Sequence, residues 1–193
     1  MKIYIVKKIL LILILTLSFQ SLVKSDDIKD FEIEGISIGD SLLKFYSKNK
    51  IENNLRNFYN DDTYLISVLP TLEDNTMYEY LQVHFKKNDK NYIVEGIDGL
   101  IDIDIKECLK MQENVKDEIS TIFKNISVSG PNVYSHAADP SDRSTTTHYE
   151  WSLKNSIIEV VCYDFVEPVT YPDGLNVAMQ TINLQNWLNA KAY

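Results

Sequence analysis

The chain has 193 residues, with 19 Lys and Arg against 28 Asp and Glu, for a net charge of −9. That balance argues against nucleic acid, where affinity comes mainly from basic side chains neutralising phosphate, and against docking on anionic lipid head groups. It fits a cationic partner or a metal ion, and it equally fits plain solubility, since net charge keeps a protein dispersed.

Residues 1–25 read as a cleavable secretory signal. Lys2, Lys7 and Lys8 form a positive head, Ile9 to Phe19 is an almost wholly apolar run, and Val23 and Ser25 suit a peptidase cut after Ser25. A spanning helix needs roughly 20 apolar residues, and this run is far shorter. No Cys stands at the cut, so a lipid anchor is not expected. The expected product is a periplasmic or secreted protein with no membrane span after signal cleavage. Loss of Lys2, Lys7, Lys8 and Lys24, with no acid, takes its net charge from −9 to −13.

Residues 26–193 suit one domain. FEIEGISIG (31–39) alternates as a strand. Asp40 or Ser41 then caps a helix over about 41–57. Residues 63–69 predict a strand closed by Pro70. Residues 77–85 and 92–103, joined by the polar turn 86–91, predict a hairpin. His84 shares a face with Tyr80 and Gln82 and reads as structural. Asp98, Asp102 and Asp104 read as the wet side of an edge strand, since the order of acids that an EF-hand needs is absent.

Residues 104–124 carry Ile105, Cys108, Leu109, Gln112, Val115 and Ile119 on one helical face, the pattern of an amphipathic helix lying on a core. Residues 125–147 are rich in Ser, Thr, Asp, Gly and Pro and read as a long loop. A second hairpin follows over 148–165, turning at Lys154-Asn155-Ser156. A strand over 175–181 and a helix over 184–193 close the chain. The expected fold is α+β, a largely antiparallel sheet with two or three helices packed on one face, in the order β-α-β-β-β-α-β-β-β-α. Glu34-Gly35-Ile36 and Glu95-Gly96-Ile97 each precede a helix. Three shared residues do not establish a duplication.

Cys108 and Cys162 are the two cysteines. An even count in an exported chain favours a disulfide. Neither has a His or second Cys at ligand spacing.

Chemistry is sparse. The segment YSHAADPSDRSTTTHYE gathers His136, Asp139, Asp142, His148 and Glu150, residue types that ligate metals or share protons. Their spacing fits no ligand pattern, so the plainer expectation is a solvated loop. Phosphate loops, a G-x-S-x-G elbow and H-E-x-x-H are absent, and no cofactor or metal is expected.

The stretch FEIEGISIGDSLLKFYSKNKI, with the closing LQNWLNAKAY, resembles a set of small uncharacterised exported proteins of AT-rich marine bacteria. The resemblance implies a secreted α+β domain and transfers no catalytic residue. More remotely, the Ile-Gly element opening a helix before a hairpin is similar to the small-lipoprotein fold of the outer-membrane assembly machinery, without its lipidated Cys. The resulting expectation is a non-enzymatic binding or interaction domain of the cell envelope, with another envelope protein or a small ligand as partner. The alternatives are a small periplasmic hydrolase or metal-dependent enzyme using the 134–150 loop, and a subunit that pairs through a tyrosine face.

Overall fold

Period-two alternation over 31–39 does not become a strand. Glu34 and Gly35 both take positive φ, 55° and 73°, and reverse the chain, so that Ile33 and Ile36 exchange backbone hydrogen bonds of 3.0 and 3.1 Å. Glycine suits such a turn because it lacks a Cβ. Phe31, Ile33 and Ile36 all enter the core; burying three apolar side chains in so few residues wins over extension. The computed structural model describes residue 28 and residues 31–74, 76–136, 139–167 and 169–192. The expected signal segment, 1–25, lies outside them.

The helix expected over 41–57 is cut short. A 3₁₀ turn, Leu42–Lys44, is followed by α1, Lys48–Asn53. Ser47 caps α1 by accepting from the Lys50 N–H, which starts a new helix within the old apolar stripe. Leu42, Tyr46 and Ile51 still face inward.

Eight strands follow: β1 Leu55–Arg56, β2 Tyr64–Pro70, β3 Tyr80–Lys86, β4 Gly96–Asp102, β5 Val128–Ser135, β6 Thr145–Ser152, β7 Ser156–Asp164 and β8 Gly174–Thr181. They form one sheet in the order β1-β2-β3-β4-β8-β7-β6-β5, antiparallel throughout. Each half is a four-stranded meander preceded by helix, and the two last strands, β4 and β8, pair at the centre. Asp98 therefore lies on a central strand rather than at an edge.

β5 falls where a loop is expected. It is an edge strand, largely exposed, and its register against β6 shifts between Ser129 and Asn132. Pro131 is tolerated there because an edge strand leaves one row of N–H groups unused. Gly130 sits at φ 120°, and a Cβ on it would stand 2.3 Å from the His148 carbonyl oxygen. The polar, Gly-Pro composition that signals a loop is thus the composition of a bulged edge.

One face of the sheet carries the main core. Leu69, Leu81, Val83, Phe85, Ile97, Val177, Met179, Ile158, Val160 and Trp151 are buried there. α1 and α2, Ile105–Ile122, pack on this face, as expected. Asp104 caps α2 by accepting from the Lys106 and Glu107 N–H groups. Buried Gln112 donates to the carbonyls of Thr147 (2.6 Å) and Val160 (2.8 Å). Cys108 of α2 and Cys162 of β7 stand at bonding distance, Cα atoms 5.9 Å apart, and fasten helix to sheet.

α3, Ile182–Ala190, packs at one end of the opposite face. Thr181 caps it. Leu184 and Trp187 join Tyr64 and Ala192 in a separate small core. Leu184 fits because Gly96 lies beneath it; a Cβ at Gly96 would stand 2.4 Å from the leucine Cδ2. Trp187 Nε1 donates to Asp61 at 2.9 Å. No helix among the described residues is long and apolar enough to cross a membrane.

The Cys108–Cys162 bond closes a 54-residue separation, for which constraint of the unfolded chain contributes about 4 kcal/mol. Replacing both cysteines by Ser should lower the urea-unfolding free energy by about that amount, and reductant should do the same to the wild type. Equal stability with and without reductant would show that the bond is not formed in the purified protein.

Candidate functional site

Beyond α3, no helix among the described residues covers the second face of the sheet, the open face, and its cross-strand rows set polar side chains beside Leu100, Val161 and Ala178. Gln82, Asp98, Ala178, Glu159 and Glu150 lie directly opposite one another across β3, β4, β8, β7 and β6. The next row runs Tyr80, Leu100, Asn176, Val161 and His148. Diagonal neighbours on one sheet face lie within reach of long side chains, and here they connect. Asn176 Nδ2 donates to Asp98 Oδ1 at 3.1 Å. His84 Nδ1 stands 3.4 Å from Asp98 Oδ2 without a hydrogen bond among the described residues, and Tyr59 Oη meets His84 Nε2 at 2.7 Å. On the other side of Ala178, Gln180 donates to Glu159 at 2.9 Å. His148 Nδ1 stands 3.6 Å from Glu159, and its Nε2 meets Thr146 Oγ1 at 2.8 Å.

At the end of this face away from α3 the polar rows run into a cleft of about 240 Å³. Its wall is aromatic. Tyr163 and Phe165 stack with centroids 5.7 Å apart, His136 meets Phe165 edge-on at 4.8 Å, and Tyr171 leans on Phe165 at 5.6 Å. Tyr80, Gln82 and Asn176 line it from the sheet. A larger cleft of about 470 Å³ lies beside the β3–β4 turn; three of its lysines, Lys48, Lys86 and Lys87, are paired with Glu52, Glu95 and Asp62.

The residues singled out in 134–150 part company here. His148 and Glu150 project from β6 onto the open face, and His136 joins the aromatic wall. Asp139 is buried and accepts from Ser141 N–H (2.8 Å), Ser141 Oγ (2.6 Å) and Ser144 N–H (2.7 Å). Those bonds hold its carboxyl well below the usual range and fold the turn. Asp142 is an exposed turn residue at φ 56°. Asp139 nonetheless supports the cleft: Ser144 Oγ accepts from the Val166 N–H at 3.1 Å, and Asp173 accepts from the Phe165 N–H at 2.8 Å. Between them they pin the strap that carries the ring of Phe165. The polar rows were missed because His84, Asp98, Glu159 and Asn176 are far apart in sequence. No group of three or more His, Cys, Asp or Glu among the described residues is placed to hold a metal.

Burial pushes the Asp98 carboxyl up to about 7, against the Asn176 hydrogen bond and with help from the Glu159 charge. Burial also pushes His84 down to about 4. Near pH 6 both groups are neutral, which is how two buried titratable groups avoid the cost of an unpaired charge. His136 is likewise lowered by burial.

The sequence matches no protein-family model, and neither a curated protein nor a solved structure matches it significantly.

The neutral pair predicts a pH signature. The folded state binds the Asp98 proton more tightly than the unfolded chain, so that contribution is lost as pH rises from 3.8 through about 7. It binds the His84 proton less tightly, so that contribution is lost as pH falls from 6.5 through about 4. Between those limits the two oppose each other. Asp98→Asn leaves only the histidine effect. Relative to wild type, the variant should lose on the order of 3 kcal/mol between pH 6.5 and 4. Urea unfolding across that range measures it; parallel curves would mean that Asp98 is ionised in the folded protein.

Proposed function

We propose that this chain is an exported, non-enzymatic binding domain of the cell envelope, periplasmic or secreted, that captures a small ligand in the aromatic cleft of its open sheet face. The observation that carries this reading is the cleft itself, where an aromatic wall stands beside half-buried Gln82 and buried Asn176. Binding sites combine apolar surface with a few fixed polar groups in this way. Export is supported by the apolar segment behind Lys7 and Lys8 and by the cysteine pair, which persists outside reducing compartments. The resemblance to exported marine bacterial proteins points the same way.

One arrangement favours a second reading, a small hydrolase. Thr146 Oγ1, His148 and Glu159 form a hydroxyl–imidazole–carboxylate line, the order of groups by which a base activates a nucleophile. It places two members of the 134–150 segment, Thr146 and His148, on the open face. Covalent labelling of Thr146 by a fluorophosphonate, lost in His148→Gln, would establish this reading over the first.

Native mass spectrometry of protein recovered from the cell envelope or medium, without reductant, tests the binding reading. The expected mass begins at Asp26, lacks two hydrogens, and carries a removable addition that Tyr163→Leu loses. A chain retaining residues 1–25, or one that is bare in both proteins, would overturn it.

A further inference from the structure

Three features of the cleft narrow its ligand, and the inference rests on the binding reading above. The first is charge. Thirteen of the described residues line the cleft, and none of these is Lys or Arg. Exposed Asp102 contributes a carboxylate to the lining, and burial lowers the His136 imidazole below its usual range. Among the described lining residues a cation meets the Asp102 carboxylate, and an anion meets no Lys or Arg.

The second is the wall. Tyr80, Tyr163, Phe165 and Tyr171 all line the same cleft. Aromatic faces carry negative charge density and attract organic cations, and aromatic cages are a common way of recognising them.

The third is Asn176. Its side chain is 8% exposed and lines the cleft. The amide Nδ2 is committed to Asp98, while Oδ1 has no hydrogen-bond partner among the described residues. A buried acceptor without a donor costs free energy, so a ligand offering an N–H there is favoured over one that offers none. At ~30 Å³ per water-sized group, the cleft holds about eight such groups, the scale of a short aliphatic chain.

From these we infer that the cleft binds a small primary alkylammonium ion, with its chain against Tyr163 and Phe165 and an ammonium N–H donated to Asn176 Oδ1. The acidic balance of the whole chain raises the local concentration of such cations.

Titration calorimetry on the exported full chain, with 1,5-diaminopentane as probe and 1,5-pentanediol as its neutral isostere, decides the matter. The diamine should bind saturably at one site, and at least tenfold more tightly than the diol. Tyr171→Ala removes an exposed ring (65%) without touching the core, and should weaken the diamine about five- to tenfold. Tetramethylammonium, which has no N–H, should bind more weakly than the diamine. Equal binding of diol and diamine would overturn the cation and leave the cleft as a binding site. Absence of diamine binding, with a removable ligand still present in the native mass, would likewise sink this inference alone. Diamine binding unchanged in Tyr171→Ala would place the amine elsewhere.

Discussion

The pairing of β4 with β8 is the contact on which the rest of the molecule depends. Seven residue pairs, from Gly96↔Gln180 to Asp102↔Gly174, join two meanders that are each local in sequence. Without that ladder each half ends in a bare inner strand, and unpaired strand edges recruit other chains. The ladder also decides what the open face contains. Asp98 comes from one half and Asn176 and Glu159 from the other, and Asn176 can reach Asp98 only because the two strands lie in this register. Slipping the pairing by one residue would turn the polar side chains of one strand into the core and its apolar ones to the open face.

The sheet's two faces are finished differently. One is sealed by α2, α1 and residues 31–46, with Trp151, Phe85 and Phe123 at or below 1% exposure. The other is covered at one end by α3, where Leu184, Trp187 and Tyr64 make a second small core, and at the other end carries no helix among the described residues. Polar side chains on the uncovered part satisfy one another diagonally instead of being solvated one by one. That is a demanding arrangement, because a buried polar network stabilises only when its members are paired. The neutral state of Asp98 and His84 fits it, and His84 Nδ1 and Asn176 Oδ1, without hydrogen-bond partners among the described residues, mark where the pairing stops.

How far the sequence showed this depends on where the determining forces lie. The β3–β4 hairpin and α2 were legible because each has its own apolar period and turn or cap signals, needing nothing from elsewhere. The two hairpin strands of 148–165 were legible for the same reason. Residues 31–39 misled because alternation does not distinguish a strand from a tight turn that buries Phe31, Ile33 and Ile36. β5 misled because Gly130 and Pro131 give an edge strand the composition of a loop. Of the 134–150 candidates, His148 and Glu150 do face the open surface, while Asp139 is spent on its own turn. His84 shares the face expected for it with Tyr80 and Gln82, while Asp98, expected on the wet side of an edge, is mostly buried on a central strand, because strand order is something that no local pattern contains.

The Cys108–Cys162 link has a mechanical consequence. It bridges the chain on either side of β5 and β6, so tension applied at the two termini passes through the sulfurs and bypasses everything between them. The bypassed 54-residue separation would otherwise stretch to about 180 Å at full extension, yet its ends are held 5.9 Å apart at Cα. Under load the β5–β6 hairpin and its neighbours behave as cargo on a closed loop. Only a reducing environment would let force draw them out.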